Sequence, residues 1–264
     1  YHGNVIGSMA DLDAAIVDDV RDFWATYYTP ANATLAIGGA FDPATIKGLV
    51  NKYFGTLKGR ARPAKPTAEV PVLKGETVIE WDEPVGTLPK LIYTWVTPPV
   101  YSPGTAELDL VASVLGGTRS SRLTAKLVHE TQIAQSVSVS PRGYKAGSPF
   151  QIDVTLRPGR TLAEAQKVVD EVLAEFIKSG PTAAELQRAK NMYESRVISA
   201  LEGLGGFSGK IEILQEYRHL TGSADKLGWD LERHLAPTAE DVRAAAARWL
   251  GPDRVLARAT PRKK

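Results

Sequence analysis

The sequence predicts an α+β fold, an antiparallel-rich mixed sheet packed against helices. Three observations carry this. Residues 133–140 (IAQSVSVS) and 150–156 (FQIDVTL) alternate apolar and polar side chains, as half-buried strands do, and 141–149 (PRGYKAGSP) reads as the hairpin loop between them. Two capping boxes, Thr161-Leu-Ala-Glu164 and Thr182-Ala-Ala-Glu185, each open a long segment with a helical apolar stripe. The elements also do not alternate strictly between strand and helix, which argues against a doubly wound parallel sheet.

In chain order, residues 11–28 (DLDAAIVDDVRDFWATYY) place Leu12, Ala15, Ile16, Val20, Phe23, Trp24 and Tyr27 at helical spacing, giving one helix stopped before Pro30. Ala33–Ala40 reads as a short buried strand. Asp42-Pro43 opens a helix with Ile46, Leu49, Val50 and Tyr53 on one face and Gly55 as its stop. Residues 58–75 hold three prolines and no acid before Glu69, and they read as a linker whose Lys58, Arg60, Arg62 and Lys65 are solvated.

Beyond the linker, Glu76–Trp81 and Lys90–Thr97 are β-rich, and Pro98-Pro99 ends the second strand. Thr105–Leu115 is helical, with Leu108, Val111, Ala112 and Leu115 as its stripe. Ser120 or Ser121 caps a further helix running to about Glu130, with Leu123 and Leu127 inward. The first boxed helix buries Val169, Leu173 and Phe176 and stops at Gly180-Pro181. The second runs toward Leu201, and 203–209 (GLGGFSG) breaks it. More helix is expected over 210–235. Thr238 caps the last helix, which ends before Gly251-Pro252, and Arg254–Ala259 is the last strand.

Composition narrows the chemistry. Of 264 residues, 43% are hydrophobic and 23% charged, as in a globular domain with a sizeable core. Lys and Arg exceed Asp and Glu by only two, so no global field attracts nucleic acid. The absence of cysteine removes disulfides, thiol nucleophiles and Cys-ligated zinc. No apolar run reaches membrane-spanning length. Neither H-x-x-E-H nor H-E-x-x-H occurs, and His2, His129, His219 and His234 have no histidine partner three or four residues away. Glu216 and His219 share a helical face, which a surface hydrogen bond explains. G-x-S-x-G, the P-loop and G-x-G-x-x-G are absent. The 203–209 segment resembles a phosphate loop but lacks the Lys-Ser/Thr ending.

One internal echo stands out. Asp18, Asp19, Val20 and Arg21 match Glu240, Asp241, Val242 and Arg243 at a constant offset of 222, which also sets Tyr27 against Trp249 and Pro30 against Pro252. A duplicated lobe accounts for this, with residues 1–57 as the tail of the first copy and 76–264 as a complete second copy. The chain opens on Tyr1 and reads as a truncated fragment of a longer protein.

These residues resemble a known family. The opening YHGNVIGSMADL with DVRDFWATYYTPANATLAIGGAFDP, the stretch LGGTRSSRLTAKLVHETQIAQSVSVS at 115–140 and GPTAAELQRAK at 180–190 are similar to the pitrilysin/insulinase metallopeptidases. These inverted zincins include mitochondrial processing peptidase. The resemblance covers essentially the whole chain and corresponds to the family's C-terminal portion.

The resemblance implies a mitochondrial-processing-peptidase-like fold, with one zinc-bearing lobe type represented by its tail and one complete zinc-free lobe. The family's H-x-x-E-H precedes the region where this chain begins, so no zinc is expected here and zinc is expected in the parent protein or a partner subunit. The zinc-free half of the family often supplies an arginine and, seven residues on, a tyrosine that bind the substrate carbonyl. Those positions hold Val128 and Gln135, and only Gln135 can donate a hydrogen bond. Gln135, Ser136 and Arg122 are the substrate-binding candidates. Arg122 alternatively pairs with a nearby acid such as Glu130 or Asp109.

The implied partners are a peptide or unfolded-protein substrate, the missing N-terminal half, and a homologous subunit or second copy, with no nucleic acid and no membrane insertion. The implied function is one wall of a peptidase chamber, inactive alone. The alternatives are a non-catalytic scaffold of the same fold, or an unrelated α+β enzyme. The expected location is the bacterial periplasm.

Overall fold

The computed structural model describes residues 6–65, 67–207 and 209–262. Two compact units divide between Thr67 and Ala68.

The first unit contains α1 (Met9–Ala14), α2 (Val17–Tyr27), a 3-10 turn at Pro30–Asn32 and α3 (Pro43–Phe54). The single helix expected over 11–28 is therefore two. Ala15 and Ile16 are extended, and the Ile16 amide donates to the Asp19 carboxylate at 3.0 Å, starting a new helix at Val17. Such a side-chain cap competes with helix continuation. α3 begins as expected, with the Thr45 amide donating to Asp42 at 2.7 Å and Pro43 in the first turn. The strand expected at Ala33–Ala40 does not form among the described residues. A strand is stabilised by a hydrogen-bonded neighbour, and no described part of this unit supplies one.

The second unit is built on a five-stranded sheet ordered β1-β5-β2-β4-β3: β1 (Thr77–Glu83), β2 (Lys90–Thr97), β3 (Ala134–Pro141), β4 (Ser148–Leu156) and β5 (Val255–Pro261). Only β1 and β5 run parallel; the other neighbours are antiparallel, so the sheet is mixed as expected. β3 and β4 form the anticipated hairpin, with Ser138 opposite Asp153.

Alternation along the strands sorts the two faces. Leu91, Tyr93 and Trp95 of β2 and Phe150, Ile152 and Val154 of β4 are buried in one cluster. They meet stripes from α4 (Thr105–Gly116), α6 (Leu162–Ser179) and α10 (Ala239–Trp249). Each large apolar side chain so buried contributes about 1.5–3 kcal/mol. The intervening residues point away from this cluster and stay partly exposed. They are Ile92 and Thr94 of β2, Gln151 and Asp153 of β4, and Ser136, Ser138 and Ser140 of β3.

α7 (Ala183–Ala200) packs outside α4. The helix expected over 210–235 is two, α8 (Lys210–Thr221) and α9 (Leu227–Leu235). Gly222 ends α8 with φ +87°, a left-handed turn that glycine takes without a Cβ clash. The helix expected after Ser120 or Ser121 is one α-helical turn, α5 (Arg122–Thr124), continuing as a wider π-helical segment over Ala125–Glu130. Ser121 holds the N-cap position as expected, but its side chain does not bond the first turn. Its hydroxyl donates to the Ser113 carbonyl at 2.8 Å and accepts from the Thr118 amide at 2.9 Å, tying the segment back to α4.

Candidate functional site

β3 lies at one end of the sheet and, among the described residues, pairs only with β4, so its outer edge carries backbone donors and acceptors with no described strand beside it. Gln132, at φ +51°, turns the chain from the π-helical segment into this strand. The register then shifts between Ala134 and Ser136, which leaves Gln135 as the extra residue of a bulge. Gln135 and Ser136 are both exposed at the start of the free edge.

Val128 sits in the π-helical segment and packs against the core. Its side chain and that of Gln135 therefore occupy different environments, one apolar and one solvated. The sequence signalled no role for Arg157, yet it secures this corner. Its Nε donates to the Ala134 carbonyl at 3.2 Å and its Nη2 to the Val128 carbonyl at 3.5 Å, joining the π-helical segment to the start of β3.

Arg122 is committed elsewhere, and its partners differ from those expected. Its Nε and Nη2 donate to the two oxygens of Glu185 at 2.8 and 2.7 Å. Nη2 also reaches the Gly180 carbonyl at 2.9 Å, and Nη1 meets Glu175. The guanidinium lies 5.1 Å from the Phe176 ring centroid, and the side chain is 16% exposed. This fork-to-fork pair outweighs the burial of Glu185 and holds its carboxyl down at about 2. Glu130 and Asp109 have other partners, Lys126 at 2.9 Å and His234 at 2.9 Å. Arg122 thus joins α5 to α6 and α7.

A cleft of about 300 Å³ opens beside the far end of β3, lined by Asp109, Ser113, Val139, Met192, Tyr193 and Arg196 among others. Behind it lies a buried polar network that sequence reasoning missed. His234 Nδ1 donates to the Asp230 carbonyl at 2.7 Å, which can only accept, and Nε2 meets the Asp109 carboxylate at 2.9 Å. The Tyr193 ring stacks on the imidazole with centroids 3.5 Å apart. Asp230 accepts from Tyr193 and Tyr217 hydroxyls at 2.8 Å each and from Arg233 Nε at 2.6 Å. Burial pushes the Asp230 carboxyl up, but the bonds from Arg233, Tyr217 and Tyr193 outweigh it and the net displacement is downward. The signal available in sequence was the Asp230–His234 spacing on one helix, read there only for histidine pairs.

The residues do not fit a catalytic zinc. His129 is exposed and His219 faces Lys145 at 3.5 Å. Both nitrogens of His234 are occupied. Glu216, the helical neighbour of His219, accepts from Tyr101 at 3.0 Å. Among the described residues no three His, Asp or Glu side chains gather as a metal group, and His2 lies outside those residues.

The α2 and α10 helices repeat the sequence echo in their bounds. Val17–Tyr27 and Ala239–Trp249 differ by the same offset, 222. Asp19 and Asp241 occupy equivalent positions and each accepts from the backbone amide three residues before it.

Comparison with known proteins agrees with this geometry. The family model described as the peptidase M16 inactive domain matches residues 15–193. The chain is 26% identical over 220 residues to the zinc protease PqqE of Helicobacter pylori, covering 79% of this chain and 48% of that protein. In fold it is similar to a protease from Helicobacter pylori, with a TM-score of 0.86 at 22% identity over 97% of this chain and 62% of the other. It is also similar to a peptidase M16 inactive domain from Pseudomonas fluorescens, with a TM-score of 0.83 at 20% identity over 97% and 60%. The chain therefore spans about half the length of the curated relative and under two thirds of the solved structures it matches.

Proposed function

The chain belongs to the peptidase M16 inactive-domain family, and from that premise we propose that it forms one non-catalytic wall of a peptide-binding chamber in a zinc-protease-like protein. The observation that carries this reading is the free edge of β3, which begins with the exposed Gln135 and Ser136. An extended peptide or unfolded segment adds to such an edge through main-chain hydrogen bonds, with side-chain contacts selecting among sequences.

Catalysis in this reading belongs to a metal-bearing N-terminal half or a homologous subunit, because the residues here do not assemble a metal group among those described. The resemblance assigns carbonyl recognition to the positions of Val128 and Gln135. Val128 packs inward, so Gln135 is the donor left on the wall, with Ser136 beside it. Arg122 serves the wall indirectly, by fixing the π-helical segment from which β3 emerges.

Residues 1–57 are, in this reading, the tail of a preceding lobe. On α10 the stripe Val242, Ala245 and Ala246 is buried, with Val242 and Ala246 in the second unit's core. The equivalent positions on α2 are Val20, Phe23 and Trp24, and Phe23 is 57% and Trp24 62% exposed. A stripe of that size on an amphipathic helix fits a sheet like the one beneath α10.

Amide hydrogen exchange of the full chain with and without an extended, protease-resistant peptide tests the reading. Protection concentrated in 134–141 is expected. Protection confined to other strands, with 134–141 unchanged at saturating peptide, would overturn it.

A further inference from the structure

The open face of the sheet carries one carboxylate whose environment is unlike its neighbours'. Asp153 lies on β4, opposite Ser138 on β3 and Ile92 on β2. It is half-buried, and it makes no ion pair within 4 Å among the described residues. Beside it Gln151 and Thr94 bond to each other, Nε2 donating to Oγ1 at 3.2 Å. Two cations bear on Asp153 from neighbouring segments, Arg142 just past β3 and Lys90 at the start of β2, and both favour its charged form. Burial outweighs them and pushes the carboxyl up. The carboxylate is thus incompletely compensated by its own chain.

Between Asp153 and the free edge lie only small side chains. Ser136, Ser138 and Ser140 share the open face, and Ser138 stands directly between Asp153 and any strand added outside β3. Neighbouring strands are about 4.8 Å apart, so a residue paired beside Ser138 has its Cα about 9.6 Å from that of Asp153. A lysine reaches about 6 Å from Cα to Nζ, and its slender stem lies over a serine without a clash. The aspartate side chain covers the remaining gap.

We propose that Asp153 is a specificity-determining acid, which receives the lysine or arginine side chain of an extended peptide paired along β3. The proposal rests on the edge-pairing reading above and adds to it the class of peptide preferred. The occupant is a basic residue because Asp153 is the acid on this face of β2, β3 and β4. The path to it admits a long, unbranched or planar-headed cation, whereas a short side chain at that position meets Ser138 and does not reach Asp153.

The test uses the full chain and three synthetic peptides in fluorescence anisotropy. The first is an extended peptide with one central lysine. The second replaces that lysine by norleucine. The third keeps the lysine and is N-methylated at alternate backbone amides, with the two possible methylation frames both made. We expect wild type to prefer lysine over norleucine by about fivefold at low salt. Asp153→Asn should erase that preference while binding the norleucine peptide as wild type does. Ser138→Lys, which places a tethered ammonium beside Asp153, should erase it too, giving a second variant should Asn perturb the strand.

One methylation frame should abolish binding. Equal wild-type affinity for lysine and norleucine, with the methylation effect intact, would overturn the role of Asp153 and leave edge pairing standing. Absence of any methylation effect would remove edge pairing and this proposal with it.

Discussion

Arg122 and Glu185 meet fork to fork, Nε to Oε1 at 2.8 Å and Nη2 to Oε2 at 2.7 Å, with both side chains 16% exposed. The same Glu185 carboxylate accepts from the Thr182 amide at 2.8 Å, so one acid closes the α7 capping box and holds α5. Removing the guanidinium strands that carboxylate. Arg122→Ala should destabilise the second unit by about 2–4 kcal/mol in urea unfolding. A double-mutant cycle with Glu185→Gln should show coupling above about 1 kcal/mol. Additive losses would mean the two residues act separately.

The same pair sets an acid limb. The Glu185 carboxyl lies at about 2 in the folded chain against an ordinary 4.5. Its contribution is therefore complete above about pH 4.5 and is lost as pH falls from there toward 2. Wild-type stability should drop across that window more steeply than that of Glu185→Gln. Parallel curves for the two proteins between pH 5 and 2 would refute the assignment.

The buried cluster around Asp230 gives a second stability prediction. Tyr193→Phe removes one of three donors to a carboxylate that stays buried, so a loss of about 1–2 kcal/mol is expected. Asp230→Asn should cost more, about 3 kcal/mol, because it also leaves Arg233 without its charged partner. Chemical denaturation of the two variants checks both the values and their order.

Much of this architecture was legible in the sequence, and the exceptions share causes. Capping boxes at Thr161 and Thr182, the Thr238 cap and the alternation in β2 and β4 declared themselves because local chemistry and tertiary packing agree there. The split at Ala15–Ile16 hid because Ile16 and Leu12 continue the helical period, while the event that breaks it is a single Asp19 side chain. The Ala33–Ala40 strand failed because strand formation is decided by a neighbour, which local periodicity does not contain.

The candidate edge was legible as a segment. Its position at the end of the sheet was not, since strand order follows from crossovers rather than from composition. The acids that pair with Arg122 were missed for a similar reason. Glu175 and Glu185 lie more than fifty residues away, and only packing of α6 beside α7 brings them in.

Gly116 provides a direct link between core packing and the candidate edge. A Cβ there would fall 2.3 Å from Val139 Cγ2 and 2.8 Å from Val139 Cβ, so α4 and β3 approach as closely as they do only because residue 116 is glycine. Gly116→Ala should destabilise by about 1–3 kcal/mol and move β3 outward. Hydrogen exchange of 137–141 should accelerate more than that of β2. Uniform acceleration across the sheet would show that the contact has no special bearing on the edge.

Asp153 yields the prediction in which stability and binding move in opposite directions. Burial raises its carboxyl above the ordinary 3.8, with Arg142 and Lys90 offsetting only part of that. A raised folded-state value means the folded chain holds the proton more tightly than the unfolded one. Folding is then penalised progressively as pH rises from about 3.8 through the raised value, and the penalty is constant above it. Asp153→Asn removes that penalty at neutral pH and changes nothing at pH 3. The variant should therefore be more stable than wild type by a few tenths of a kcal/mol at pH 7, with the gain vanishing near pH 3. A residue kept for packing should destabilise when replaced, whereas one kept for a ligand can stabilise while binding is lost. Thermal melts at pH 3 and pH 7 distinguish the two. A loss of stability at pH 7 would mark Asp153 as part of the scaffold rather than of the surface that meets a peptide.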